Sequence, residues 1–213
     1  MLQSVAHLLT ARALLLQVEE HFDPIWLRHV VTRRVRSLLA GGYDAVLFAE
    51  VDELLLPASG SLAEYVAAFA ASGNLAVRCI GWEVHHDLTA GEAPFNTSRP
   101  LLAQRGRWHR NSKYDKALLT TAALTWSLGF HACEEVVPVD EDWILVHLHK
   151  YDFQAFLARH EARRQYKHAA SAIENDWNAH YRTSGAALVT QYMNLPAALE
   201  PIPAWVKEAL ARI

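Results

Sequence analysis

Cysteine is scarce in this sequence, and no apolar run is long enough to cross a membrane. Only Cys79 and Cys133 are present among 213 residues. They are too few and too far apart for a disulfide framework or a CxxC zinc site, so we expect a reducing, cytoplasmic setting. The apolar N-terminal stretch is interrupted by Arg12, Glu19 and Glu20 and lacks the basic region of a signal peptide. We therefore expect no transmembrane segment.

An excess of charge of one sign is also missing. Twenty Lys and Arg residues stand against 23 Asp and Glu residues, which gives a formal net charge of −3. No global field therefore attracts nucleic acid or an anionic membrane, and an anionic ligand has to be held by a local site. Apolar residues, by contrast, make up 52% of the chain, enough to build a single core at this length. We expect one domain over residues 1–213, and oligomer formation stays open.

Helix signals recur along the chain. Asp23 and Pro24 have the residue types of an N-cap and a first helical position, and they predict a helix that ends at Gly41. Ser61 and Glu64 are spaced as a capping box and predict a second helix that ends near residue 73. Further helices are predicted at 152–173 and 204–213, and a helix running into a strand is predicted within 2–20.

The clearest strand signal is the apolar run 45–49, which has turn residues on both sides. This pattern is typical of a strand buried on both faces of a largely parallel sheet. Further strands are predicted at 75–80, 101–104, 116–121 and 143–147, with a long loop at 87–100. The alternation predicts an α/β fold with a mixed, mainly parallel, Rossmann-like sheet flanked by helices, and a C-terminal helical appendage at about 152–213.

Acidic residues follow the 45–49 strand directly. In an open α/β sheet, the carboxyl ends of strands face the ligand crevice. Residues two apart in an extended segment point the same way, so Glu50 and Asp52 can converge on one Mg²⁺ or Mn²⁺ ion. Taken alone, the pair is equally well explained as two acids that close a strand.

Histidines can complete such a site, since imidazole binds metal ions alongside carboxylates. His131 and His147 are the best placed. His149 lies two residues after His147 and points the same way if the strand continues. For each of them the alternative is a hydrogen-bonded, half-buried histidine with no ligand.

The stretch 47–57, LFAEVDELLLP, resembles the acidic Asp-x-Asp-Glu type motif of glycosyltransferase family 2-like proteins. Four later stretches resemble the same family in the same order: 100–105 (PLLAQR), 114–119 (YDKALL), 126–131 (WSLGFH) and 146–153 (VHLHKYDF). The order of these stretches is more specific than any one of them. The resemblance covers about residues 20–165.

This resemblance implies a GT-A fold and the transfer of a sugar from a nucleotide-diphosphate donor to a glycan or other acceptor. It also implies a divalent ion, Mn²⁺ or Mg²⁺, held through the acidic motif. Glu50 stands where the family has aspartate. The nucleotide-contacting strands with which the family begins are not evident upstream of Glu20, so we expect a shortened or diverged N-terminus.

The predicted site has three parts. The metal ligands are Glu50, Asp52, His131 and His147. The candidates for the base that takes the acceptor proton are Glu134 and Glu135. Donor, phosphate or sugar contacts are assigned to Glu53, Arg105, Lys116, His149 and Trp126.

Two other functions stay open. The first is a catalytically inactive or partner-dependent GT-A-like binding module that keeps the sheet but has lost the nucleotide half. The second is a metal-dependent hydrolase that uses the same acids and histidines on water.

Overall fold

The computed structural model describes residues 23–166, 168–177, 183–194 and 199–210. The helix and strand predicted within 2–20 lie outside these ranges. The helices are α1 (Pro24–Ala40), α2 (Leu62–Ala71), α3 (Phe153–Arg164), α4 (Ala170–Glu174), α5 (Gly185–Met193) and α6 (Ala204–Leu210). The strands are β1 (Val46–Leu47), β2 (Glu53–Pro57), β3 (Ala76–His85), β4 (Arg107–Arg110), β5 (Ala117–Thr120), β6 (Val139–Lys150) and β7 (Glu200–Pro201). In the described part of the chain, no helix combines the length and the apolar character needed to cross a bilayer.

The first two helices begin where the sequence predicts. The Asp23 carboxylate accepts a hydrogen bond from the Ile25 backbone N–H at 2.8 Å, and Pro24 takes the first helical position of α1. At α2 the Ser61 hydroxyl accepts from the Glu64 N–H at 3.2 Å, and the Glu64 carboxylate accepts from the Ser61 N–H at 2.8 Å. Both helix predictions are confirmed, because capping depends on residues that are adjacent in sequence.

The strands form one curled, mixed sheet with β3 at its centre. β3 is antiparallel to β4 and β5 and parallel to β6, while β6 is antiparallel to β2. β1 and β7 extend the sheet as antiparallel neighbours of β5 and β4. Among the described strands, β3–β6 is the one parallel pair, so the prediction of a mainly parallel sheet is wrong. The α/β content and the flanking helices are as predicted.

Several local predictions need correction. The 45–49 run is a two-residue, half-buried strand that pairs only with β5 among the described strands, rather than a strand buried on both faces. Residues 50–53 form a turn closed by the Glu53 N–H on the Glu50 carbonyl at 3.0 Å, so Glu50 and Asp52 do not share an extended segment. Residues 101–103 form a 3₁₀ turn instead of a strand, and the predicted 152–173 helix is divided into α3 and α4.

Strand predictions at 75–80, 116–121 and 143–147 are confirmed by β3, β5 and β6. Strand β6, which lies between β2 and β3, contributes to both faces of the sheet. Its Trp143 and Leu145 pack in a core with residues of α1 and α2, whereas Ile144 and Val146 pack in a second core that includes Val206 of α6. Burial on both faces explains the unbroken apolar run of this strand.

Gly81 in β3 is required by a close backbone approach. A Cβ atom at this position would lie 2.5 Å from the Cβ of Tyr114 and 2.7 Å from the carbonyl oxygen of Asn111. The short 3₁₀ turn Ser112–Tyr114 can therefore lie against β3 only because residue 81 has no side chain. Tyr114 in turn stacks on His147, with ring centroids 3.8 Å apart.

We predict that Gly81→Ala lowers the free energy of unfolding by about 1–3 kcal/mol, because the added methyl group overpacks a closed contact. The measurement is urea denaturation of the two proteins. Gly106→Ala is the matched control, since its Cβ would have its nearest contact at 3.7 Å from the Glu92 carboxylate, an ordinary van der Waals distance. Equal effects of the two substitutions would contradict the packing argument.

Candidate metal centre

Four titratable side chains stand in one row across the sheet. In the strand registers, Glu83 of β3 lies opposite His109 of β4 and opposite His147 of β6, and His147 lies opposite Glu53 of β2. Cross-strand neighbours share a face of the sheet. All four residues are at most 5% exposed, so this row is a buried polar cluster at the carboxyl ends of β3 and β6.

Asp52 precedes β2 at this same edge. The Leu148 backbone N–H donates to the Asp52 carbonyl oxygen at 2.8 Å, which ties the 50–53 turn to β6. The Asp52 Oδ2 atom lies 3.8 Å from His147 Nε2 and 4.0 Å from His149 Nδ1. One ligand atom from each of these three residues lies within 4.8 Å of the other two. The three side chains therefore form a candidate metal-ligand triad.

In His147 and His149, the outer ring nitrogen, which is the one that faces away from Asp52, has its own partner. His147 Nδ1 is 3.0 Å from Glu83 Oε1, and His149 Nε2 is 3.2 Å from His160 Nε2. A hydrogen bond on one ring nitrogen orients the imidazole and selects the tautomer that presents the other nitrogen as a ligand. Both histidines thus direct their inner nitrogens towards Asp52.

Electrostatics favour a neutral His149 and an ionised Glu83. Burial, with the charges of Arg159 and His147, lowers the pKa of His149 to about 2, so its imidazole is neutral at physiological pH. Burial opposes ionisation of Glu83, but its hydrogen bond with His147 and the charges of His147, Lys150 and His109 lower its pKa to about 2. A neutral imidazole has a free lone pair, and an ionised Glu83 accepts the proton of His147 Nδ1.

The distances from Asp52 to the two histidines of the triad fit a metal ion. Metal bonds to imidazole and carboxylate are about 2.0–2.2 Å long, so two ligand atoms of one ion lie at most about 4.4 Å apart. The distances of 3.8 and 4.0 Å from Asp52 to the two histidines fall inside this limit. The donor set and its outer partners are therefore compatible with a divalent cation.

The triad borders a cleft of about 420 Å³. In the described chain, three carboxylates line it, those of Glu50, Asp52 and Glu83. Three cationic side chains line it as well, those of Lys113, Lys150 and Arg163. The cleft is thus polar and carries both signs of charge, as expected for a site that holds an ionic ligand.

Glu50 and His131 line the same cleft but do not join the triad. The Glu50 carboxylate accepts a hydrogen bond from Lys116 Nζ at 2.8 Å. His131 Nδ1 is 2.7 Å from the Lys113 carbonyl oxygen, and burial with the charge of Lys116 lowers the pKa of His131. Of the four predicted metal ligands, the structure brings together Asp52 and His147 and adds His149.

Lys116 and Glu53 form a buried ion pair beneath the cleft. Both side chains are fully buried, and Lys116 Nζ lies 2.5 Å from Glu53 Oε1. Burial disfavours the charge of Lys116, but Glu50 and Glu53 raise its pKa above the ordinary value. The sequence predicted that these two residues contact the ligand. In the structure they bind each other and support the 50–53 turn.

The other predicted residues lie away from the cleft. Arg105 is 1% exposed and donates to the Ala93 and Tyr151 carbonyl oxygens and to the Asp152 carboxylate. Trp126 is in the core and donates its indole N–H to the Ala117 carbonyl oxygen at 2.9 Å. Residues 134 and 135 follow an isolated bridge at Cys133, where the Glu135 carboxylate accepts from the Thr125 N–H at 2.9 Å.

Sequence reasoning missed three residues of this centre: Glu83, Arg159 and His160. Glu83 lies beyond the predicted strand 75–80; only the observed extension of β3 to His85 puts Glu83 and His85 on one face. Arg159 and His160 are on α3, and no local signal says that this helix packs against the 50–53 turn.

We predict that Lys116→Met lowers the free energy of unfolding by about 3–5 kcal/mol, because it leaves Glu53 buried without a counter-charge. Adding Glu53→Gln to this variant removes the orphaned charge and should recover part of the loss. Lys113→Met, at an exposed position on the cleft rim, is the control and should change stability by less than about 0.5 kcal/mol. Equal denaturation midpoints for the Lys116 and Lys113 variants would refute the buried pair.

Comparison with models of protein families, with curated proteins and with solved structures finds no match to this chain. A functional assignment therefore depends on the geometry of the candidate metal centre and on the sequence stretches around it.

Proposed function

We propose that this chain is a divalent-metal-dependent glycosyltransferase that uses a nucleotide-diphosphate sugar as donor. The observation that carries the proposal is the convergence of Asp52, His147 and His149 beside a charged cleft. A glycan or another hydroxyl-bearing molecule is the proposed acceptor.

Four stretches that resemble family 2-like glycosyltransferases meet in this one cleft. Its lining includes Asp52 from the 47–57 stretch, Tyr114 from the 114–119 stretch, His131 from the 126–131 stretch and His147 from the 146–153 stretch. Tyr114 stacks on His147, and Lys116 binds Glu50. Sequence stretches separated by about a hundred residues thus contribute to a single site, which supports reading them as parts of one functional motif.

The donor set favours Mn²⁺ over Mg²⁺. Mg²⁺ prefers oxygen ligands and an octahedral shell, whereas imidazole suits later divalent ions, and Mn²⁺ accepts carboxylate, water and phosphate as well. Two imidazoles and one carboxylate leave room for phosphate oxygens on such an ion.

Each group of the chain has a definite task in this proposal. Asp52, His147 and His149 hold the ion, while Glu83 and His160 keep the two imidazoles in orientation. When bound, a divalent ion neutralises the charge that grows on the leaving nucleoside diphosphate. The cationic side chains of the cleft supply further positive charge for the phosphates.

A metal-dependent hydrolase is the second candidate, and the donor set is the observation in its favour. Two histidines and one carboxylate with open positions are also the ligands of catalytic zinc sites that activate water. A third candidate is the catalytically inactive binding module. The observation in its favour is that neither Glu134 nor Glu135, the predicted bases, is among the residues that line the cleft.

We predict that Asp52→Asn weakens Mn²⁺ binding at least about 100-fold, because the loss of outer partners alone costs about 10- to 100-fold. His147→Ala and His149→Ala should act in the same direction. Binding is measured by the loss of the electron paramagnetic resonance signal of free Mn²⁺. Asp142→Asn, at an exposed position in β6, is the control, and an equal Mn²⁺ affinity of Asp52→Asn and wild type would refute the triad.

Turnover separates the three functions. With Mn²⁺, a panel of nucleotide-diphosphate sugars and a mixture of acceptor glycans, we expect nucleoside diphosphate to be released in step with sugar transfer to an acceptor. This release should be lost in Asp52→Asn. Phosphoester hydrolysis without sugar transfer would favour the hydrolase, and Mn²⁺-dependent donor binding without turnover would favour the binding module.

A further inference from the structure

A fourth group reaches the oxygen atom on which the triad converges. Asp52 Oδ2 lies 3.6 Å from Arg159 Nη1, closer than to either histidine of the triad. One carboxylate oxygen therefore faces two imidazole nitrogens and a guanidinium group.

Arg159 is held in this position by the protein. It extends from α3 with its side chain 25% exposed, and its Nη2 donates to the His149 carbonyl oxygen. Its Nε atom is buried and has no hydrogen-bond partner among the described residues. The guanidinium group is permanently charged in proteins, so a positive charge stays beside the ligand oxygen of Asp52.

This arrangement sets a charge problem for any dication. Each of the three carboxylates that line the described cleft already has a cation within 4.0 Å: Lys116 beside Glu50, Lys150 beside Glu83 and Arg159 beside Asp52. The positive charge of Arg159 thus already occupies the ligand oxygen of Asp52. A bound dication adds two more, and it competes with Arg159 for the same carboxylate. The repulsion is strong because the site is largely buried.

We propose that Arg159 makes metal binding conditional on a polyanion, so that the triad binds its cation tightly only together with a ligand that carries adjacent phosphate groups. The excess positive charge of ion and arginine is then neutralised by the phosphates. This inference rests on the proposed function, which it deepens by naming Arg159 as the group that couples binding of the ion to binding of the phosphates. Metal and diphosphate stabilise each other's binding, and the coupling is reciprocal.

The test measures the Mn²⁺ dissociation constant of the full chain by electron paramagnetic resonance, first without UDP and then with saturating UDP. The dissociation constant of the Mn²⁺–UDP complex is measured separately without protein, so that Mn²⁺ bound to free UDP can be subtracted. We expect UDP to tighten Mn²⁺ binding to wild type by about 5- to 150-fold, the usual range of coupling between sites. Uridine, which has no phosphate, should not tighten it.

Arg159→Gln gives the decisive comparison. Without the guanidinium group the chain should bind Mn²⁺ alone several-fold more tightly than wild type, while the gain on adding UDP shrinks. Arg159→Lys keeps the charge but lacks the planar group that contacts both Asp52 and the His149 carbonyl oxygen. It should therefore change the Mn²⁺ affinity and the gain on adding UDP in the same direction as Arg159→Gln, but by less. Arg164→Gln, on the same helix and paired with exposed Glu161, should match wild type.

Each result has a distinct meaning. Two results overturn the role of Arg159 and leave the metal site intact. One is Mn²⁺ binding to wild type that UDP does not tighten. The other is Mn²⁺ binding to both Arg159 variants that is equal to or weaker than that of wild type, at unchanged thermal stability. Absence of Mn²⁺ binding with and without UDP overturns the proposed metal-dependent function and this inference with it.

Discussion

β3 and β6 run parallel from Arg78 to His85, and this pairing sets Glu83 directly opposite His147. It also brings the carboxyl ends of both strands to one edge of the sheet, where ligand sites of α/β proteins commonly lie. β2 is antiparallel to β6, so the turn that carries Asp52 lies at the same edge. The candidate metal centre is thus placed by a backbone ladder, a more rigid support than a mobile loop.

Charged groups at this edge are expensive to bury, and the protein places partners of opposite charge beside the buried Glu83 and Lys116. Glu83 is 3.0 Å from His147, 3.4 Å from His109 and 3.8 Å from Lys150. Lys116 is fully buried between Glu50 and Glu53. Well-packed apolar residues in such positions are often neutral or more stabilising by about 1–4 kcal/mol. Local conflicts with stability of this kind are expected at functional sites.

The features that could be predicted from the sequence are those that depend on residues close together in the chain. The caps of α1 and α2 were predictable because the capping atoms lie within three residues of the groups they satisfy. His149 was correctly placed on the same face as His147, because both belong to the continuous strand β6. Asp52 was chosen for a wrong reason: it lies in a turn, and it meets His147 through the ladder of β2 and β6 rather than through alternation with Glu50.

What the sequence could not predict depends on pairing over long distances. The 45–49 run has the composition of a central strand, but composition does not specify partners, and only Val46–Leu47 pairs, with β5. The helical periodicity of α3 shows which residues share a face without saying what that face covers. Arg159 therefore gave no sign of its contact with Asp52, more than a hundred residues away.

The alternating burial of β6 has a further consequence for how this chain can change. Trp143, Leu145, His147 and His149 share one face, while Ile144 and Val146 fill the core on the other. A shift of one residue in the strand would exchange the two faces and turn both histidines away from Asp52. A single-residue insertion within β6 would therefore remove the core packing and the metal centre together. The loop at 87–100 lies outside β6, so a change in its length leaves that register intact.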